Sequence, residues 1–151
     1  AREIGLVEAL EKGNYNYLDR SKMSPRESLM AAYDADIFLS SANAVTNDGI
    51  LINIDGNSNR VSCIAQGPRK VVFIVGINKV CSDLDSAMKR ARNVAAPVNA
   101  QRFDLNIPCR ETGKCFDCKS MDTICCQFLI TRFSRHTDRI HVILVNDTLG
   151  Y

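Results

Sequence analysis

Five of the chain's seven cysteines fall between Pro108 and Cys126, in a stretch without hydrophobic periodicity. From position 97 to 126 the sequence is polar and irregular, with prolines at Pro97 and Pro108. A compact domain rarely carries so long a loop unless something ties it down. Cys109, Cys115, Cys118 and Cys125 give the spacing C-x5-C-x2-C-x6-C. The central C-x2-C can place two thiolates on one ion or cluster, and Gly113 eases the turn before it. Four soft thiolates suit an iron–sulfur cluster or zinc. A disulfide knot needs an oxidising compartment, which nothing in the sequence suggests. A thioredoxin-type dithiol would follow a strand and open a helix. Zinc knuckles usually pair two C-x2-C units, whereas iron–sulfur sites accept irregular spacings, so a [4Fe–4S] cluster is expected first and zinc second. Cys126, next to Cys125, is awkward as a further ligand and reads as a small apolar residue entering the next strand. A structural metal contributes ~10 kcal/mol or more to folding, so a metal here does not by itself imply catalysis.

The chain has 151 residues, about one domain, and 46% of them are hydrophobic, enough to fold without disulfides. A net charge of +2 gives no clustered basic face for nucleic acid. No apolar run approaches the ~18 residues of a membrane span. There is no signal-peptide pattern, so the expected setting is the reducing cytoplasm, where clustered cysteines more often bind metal than pair.

Apolar spacing predicts a short helix over Glu3–Lys12, stopped by Gly13. Ser24-Pro-Arg-Glu27 is a capping-box helix start, and that helix should run to about Tyr33. Strands are predicted at 36–41, 50–54 and 71–75, the last apolar throughout and so buried on both faces. With Asp55-Gly-Asn-Ser-Asn59 read as a turn and Arg60–Ala65 as a strand, 50–65 becomes a β-hairpin. Ser82 caps a helix over Asp83–Asn93, and two strands, 127–133 and 139–145, close the chain. Helices alternating with short apolar strands predict a single α/β domain with a mixed sheet.

Outside the cysteines, Asn43, Asn47, Asp48 and Gly49 follow a predicted strand, where open α/β sheets bind ligands, although Asn-Asp-Gly is also an ordinary turn. Asp55, Asn57 and Asn59 sit at the predicted hairpin tip, and Arg60 is a candidate anion contact. His136 and His141 read as turn and packed strand residues. The sequence contains no dinucleotide, Walker, zincin or nucleophile-elbow motif.

Three runs, Ser41 to Val61, Gly67 to Lys79 and Arg90 to Ala100, resemble the lactate-utilisation (LUD) domain family. The cysteine segment and the closing Arg139–Tyr151 run resemble its cysteine-bearing, stand-alone branch. The resemblance implies a three-layer α/β fold like that of the NagB/RpiA/CoA-transferase superfamily. It marks Asn47, Asp48, Gly49, Asp55 and Gly56 as ligand-edge residues, beside which Arg60 stands as the candidate anion contact. It also implies that several dozen N-terminal residues of the family domain are missing here, including a pocket loop. The family's link to lactate oxidation implies an iron–sulfur or oxidoreductase partner protein and an accessory or redox role. The alternative is a small-molecule-binding domain or enzyme on the same scaffold, with a structural zinc.

Overall fold

The computed structural model describes residues 3–151. Its helices are α1 (Leu6–Lys12), α2 (Pro25–Asp34), α3 (Asn59–Ala65), α4 (Leu84–Arg90), α5 (Ala96–Ala100) and α6 (Pro108–Thr112). Its strands are β1 (Ile37–Ser40), β2 (Ala44–Thr46), β3 (Leu51–Asp55), β4 (Lys70–Gly76), β5 (Val80–Cys81), β6 (Gln127–Thr131) and β7 (Ile140–Val145). The capping box forms as its residues dictate: Ser24 Oγ accepts from Glu27 N, and Ser24 N donates to the Glu27 carboxylate.

The α/β class is as expected, but the strands divide between two sheets. β1, β4 and β7 form an all-parallel sheet in the order β1-β4-β7. The second, mixed sheet runs β5-β2-β3-β6, with β5 parallel to β2 and the other pairs antiparallel. Strand periodicity assigns the layers. On β3, Leu51 faces Val71, Phe73 and Val75 of β4, together with Val45 and Ile64, and so fills the space between the sheets. Its neighbours Ile52 and Ile54 point the other way, onto Ala87 and Ala91 of the helical layer. The opposite face of the parallel sheet leaves Ile37, Leu39 and Ile143 partly exposed, although parallel sheets are usually covered on both faces.

The predicted hairpin over 50–65 is overturned. The antiparallel hairpin is one strand earlier, β2 to β3, turned by Asn47-Asp48-Gly49. Residues 59–65 are helix α3, with Val61, Cys63 and Ile64 buried. The reason is Asp55. One of its carboxylate oxygens accepts from Asn57 N at 3.1 Å, the other from Arg60 N at 2.9 Å and Val61 N at 3.1 Å. Those amides open the helix, so the acceptor that a helix start needs comes from the end of the preceding strand.

A second departure lies at Pro97. The helix expected to end near Asn93 instead passes through a π turn, Ala91–Ala95, into α5. Proline removes one amide and crowds the carbonyl four residues back, and a π turn widens the backbone at that point. Ala96 N accordingly bonds Ala91 O, five residues away. The N-cap of α4 is Asp83 rather than Ser82, its carboxylate accepting from Ser86 N at 2.8 Å.

At the carboxyl end of β4 the chain meets its own C-terminal strap, residues 146–151. A Cβ on Gly76 would stand 2.6 Å from Leu149 N and 2.7 Å from Asp147 O, so only glycine allows the strap to cross there. Two expectations follow. Asp55→Ala should lower unfolding stability by about 1–2 kcal/mol by denaturant titration, whereas Asn57→Ala, whose side chain is exposed, should leave it unchanged. Gly76→Ala should raise protease sensitivity selectively within 146–151, seen by mass spectrometry of limited digests.

Candidate metal centre

The cysteine segment folds around a small apolar cluster of its own. Ala100, Ile107 and Cys109 are buried together, with Leu105, Cys118 and Ile124 packed on them. Pro108 opens α6, Cys109 points inward from its first turn, and Gly113 closes it. Polar ties add to this: Gln101 Nε2 donates to Arg110 O at 2.6 Å, and Asn106 N to Asp122 Oδ2 at 3.1 Å. The loop therefore has protein anchors that its composition did not reveal.

The fold sorts the seven cysteines, and all are free thiols. Cys63 is buried on α3, and Cys81 lies on β5, against the same apolar cluster on which Cys125 packs. Cys126 is exposed and bonds only the Thr123 carbonyl, at 3.7 Å. Cys109, Cys115, Cys118 and Cys125, with Cys126 beside the last, lie close enough for their charges to interact. Burial pushes the Cys125 thiol up to about 12, and its neighbours Cys109, Cys115, Cys118 and Cys126 push it the same way. Cys109 is raised by burial and then by Cys118 and Cys115. A nearby cation reverses this logic, because a metal-bound thiol is deprotonated outright. Among the described residues, no three His, Cys, Asp or Glu side chains already form a metal-holding group.

Cys115 carries the most developed surroundings. Asp117, at φ 53°, turns the C-x2-C so that its own amide donates to Cys115 Sγ at 3.5 Å. Arg92, on the π turn, donates to Cys115 Sγ at 3.6 Å and pairs with Asp117 Oδ1 at 2.6 Å. Cys118 Sγ meets Thr123 Oγ1 at 3.6 Å, and the same hydroxyl accepts from Cys125 N at 3.3 Å. The donor set thus fits a thiolate-bound metal in chemistry: four sulfurs, hydrogen-bond donors to one of them, and a guanidinium against excess negative charge. In sequence Arg92 reads as one of several scattered arginines of a candidate anion patch, more often solvated, and its approach to Cys115 emerges only in the fold.

The other candidate residues separate into two groups at opposite ends of β3. Asn47, Asp48 and Gly49 are exposed in the β2–β3 turn, closed by Gly49 N to Thr46 O at 2.9 Å and by Thr46 Oγ1 donating to Asp48. Asp55, Gly56 and Arg60 lie at the far end. Asp55 is occupied as the α3 acceptor, and a Cβ on Gly56 would stand 3.3 Å from the Ile124 backbone, so this turn backs onto the cysteine segment. The structure does not bring the two groups into one site.

Arg60 has a different setting from the one expected. Its Nη1 donates to Ser41 O at 3.0 Å and Asn53 Oδ1 at 3.1 Å. Its Nη2 donates to Asn43 Oδ1 at 3.2 Å and Ile54 O at 2.6 Å. Burial lowers its pKa, with Asp55 opposing. Beside it lies Lys79, which the sequence reading passed over. It is 5% exposed, donates to Ser41 Oγ at 3.2 Å, and burial followed by Arg90 and Arg60 brings its pKa down to about 8.

No helix among the described residues is long and apolar enough to cross a membrane. No curated protein and no solved structure matches the chain. A family model for the LUD domain matches residues 1–145, nearly the whole sequence. The two-sheet α/β architecture and the cysteine segment packed beneath α5 are therefore features of a protein that belongs to the LUD, or lactate-utilisation, domain family.

Proposed function

We propose that this LUD-domain protein is an iron–sulfur-binding accessory or redox component of lactate-type metabolism in the cytoplasm. Cys109, Cys115, Cys118 and Cys125 would hold a [4Fe–4S] cluster. What supports the reading is the C-x5-C-x2-C-x6-C spacing together with the electrostatic proximity of Cys109, Cys115 and Cys118 to Cys125, whereas Cys63 lies on α3 and Cys81 on β5. A bound cluster supplies one-electron redox capacity. The protein's part is to hold and tune it. Arg92 and the Asp117 amide, both directed at Cys115, offset negative charge on the sulfurs and so favour the more reduced state. Phe116, 59% exposed between the two central cysteines, and the fully exposed Met121 offer an apolar approach for an oxidoreductase partner.

The alternative is a structural zinc on a small-molecule-binding scaffold. It is favoured by the loop's own apolar anchor, which asks of a metal only that it fasten an already folded segment.

Metal and acid-labile sulfide analysis of anaerobically purified protein separates the two. The expected result is a brown protein with about four iron and four sulfide per chain. A colourless protein with one zinc per chain, or with no metal, overturns the iron–sulfur reading. Serine substitution at Cys109, Cys115, Cys118 or Cys125 should remove most of the iron, whereas Cys63→Ser and Cys126→Ser should retain it. Arg92→Gln should keep the cluster and lower its reduction potential, measured by redox titration.

A further inference from the structure

Lys79 follows the carboxyl end of β4, in the 3-10 turn Ile77–Lys79, and its ammonium is nearly sealed from solvent. Buried charges are normally paired. Here none of the ion pairs among the described residues includes Lys79, Arg60 or Arg90. Arg60 spends its guanidinium on two carbonyls and two amide oxygens, all neutral. Arg90 likewise donates to the carbonyls of Asn78 and Asn43. Lys79 has three N–H donors and, among the described residues, one hydrogen-bond partner, Ser41 Oγ. Asn53, whose Oδ1 accepts from Arg60, is fully buried, and its Nδ2 has no partner among the described residues. Three cations and at least two further donors gather where β1 and β4 end. Asp55, the carboxylate that acts on Arg60, is already shared among three amides, and Glu3, the carboxylate that acts on Lys79, accepts from Gly150 N and makes no ion pair with the lysine.

We propose that Lys79 and Ser41 form the floor of a binding site for a small oxyanion, the carboxylate or phosphate-type group of a metabolite. An acceptor-only ligand would satisfy the surplus donors and neutralise the buried charge at once. The position is the one at which open α/β sheets bind ligands, the carboxyl ends of parallel strands. The strap 146–151 roofs it. Asn78 holds the strap through Leu149 N and Gly150 O, both at 3.2 Å. Gly150 N donates to Glu3 at 3.0 Å, and the Tyr151 hydroxyl bonds Asn99 at 2.7 Å. Ile77 N adds a backbone bond to Asp147 O at 3.1 Å; the ties of Gly150 are exposed, so a ligand would enter by lifting the last two residues of the strap while Leu149 stays buried. The site shares no residue with the four-thiol loop, and it stands whether or not a cluster is present there.

Thermal unfolding of the full chain at pH 7, with sodium sulfate or sodium acetate replacing sodium chloride at constant ionic strength, tests this. At least one anion should raise Tm saturably in the wild type. Lys79→Met should abolish the saturable component, Ser41→Ala should raise its midpoint about tenfold, and Lys12→Met should leave it intact. Sulfate also stabilises proteins non-specifically, without saturation, so the difference between wild type and variant is the readout. A response to sulfate alone assigns a phosphate-type ligand, and to acetate alone a carboxylate. The same response in wild type and Lys79→Met, or no saturable response in the wild type, overturns the proposal. If Lys79→Met does not fold, Ser41→Ala decides by the same criterion.

Discussion

The guanidinium of Arg60 is the joint on which the arrangement depends. Through four hydrogen bonds it ties the loop after β1, the entry to β2, and β3 to its own helix α3. Asn43, which receives one of those bonds at its side chain, also accepts from Ile54 N at that same oxygen and from Arg90 at its carbonyl. The parallel sheet, the mixed sheet and the helical layer are thus cross-linked at one polar node inside an otherwise apolar interior. Such a node is costly to bury and worthless if half satisfied, so it fixes one relative placement of the layers.

From that placement two chemically distinct regions arise on one helical run. Arg90, at the end of α4, turns toward the strand ends and the buried cations. Arg92, two residues on, turns toward Cys115 and Asp117. The π turn at Ala91–Ala95 lies between α4 and α5, where Pro97 would otherwise strain the helix. A backbone accommodation to one proline therefore helps set the electrostatics beside the cysteines.

Much of this was legible in sequence, for identifiable reasons. The strand at Val71–Val75 was visible because it is continuously apolar, and the start of α2 because its capping box is local. The candidate four-thiol set rests on its spacing, which is local and so can be read directly from sequence. What was not legible depended on contacts distant in sequence. Arg60–Ala65 reads as a strand by β-branched content, and becomes helix because Asp55, from the preceding strand, takes the first amides. Lys79 sits in an unremarkable polar turn, and its burial against Ser41 and the returning strap at Gly150 depends on residues distant in sequence. The apolar anchor of the cysteine segment joins Ala100 to Ile124, too far apart for periodicity to show.

The central claim is that the loop's four thiols hold an iron–sulfur cluster, and X-ray absorption at the metal edge of anaerobically purified protein tests it most directly. The account predicts an iron edge with sulfur neighbours and a second shell of short iron–iron scattering. A zinc edge with a single shell of sulfur at about 2.3 Å would contradict it.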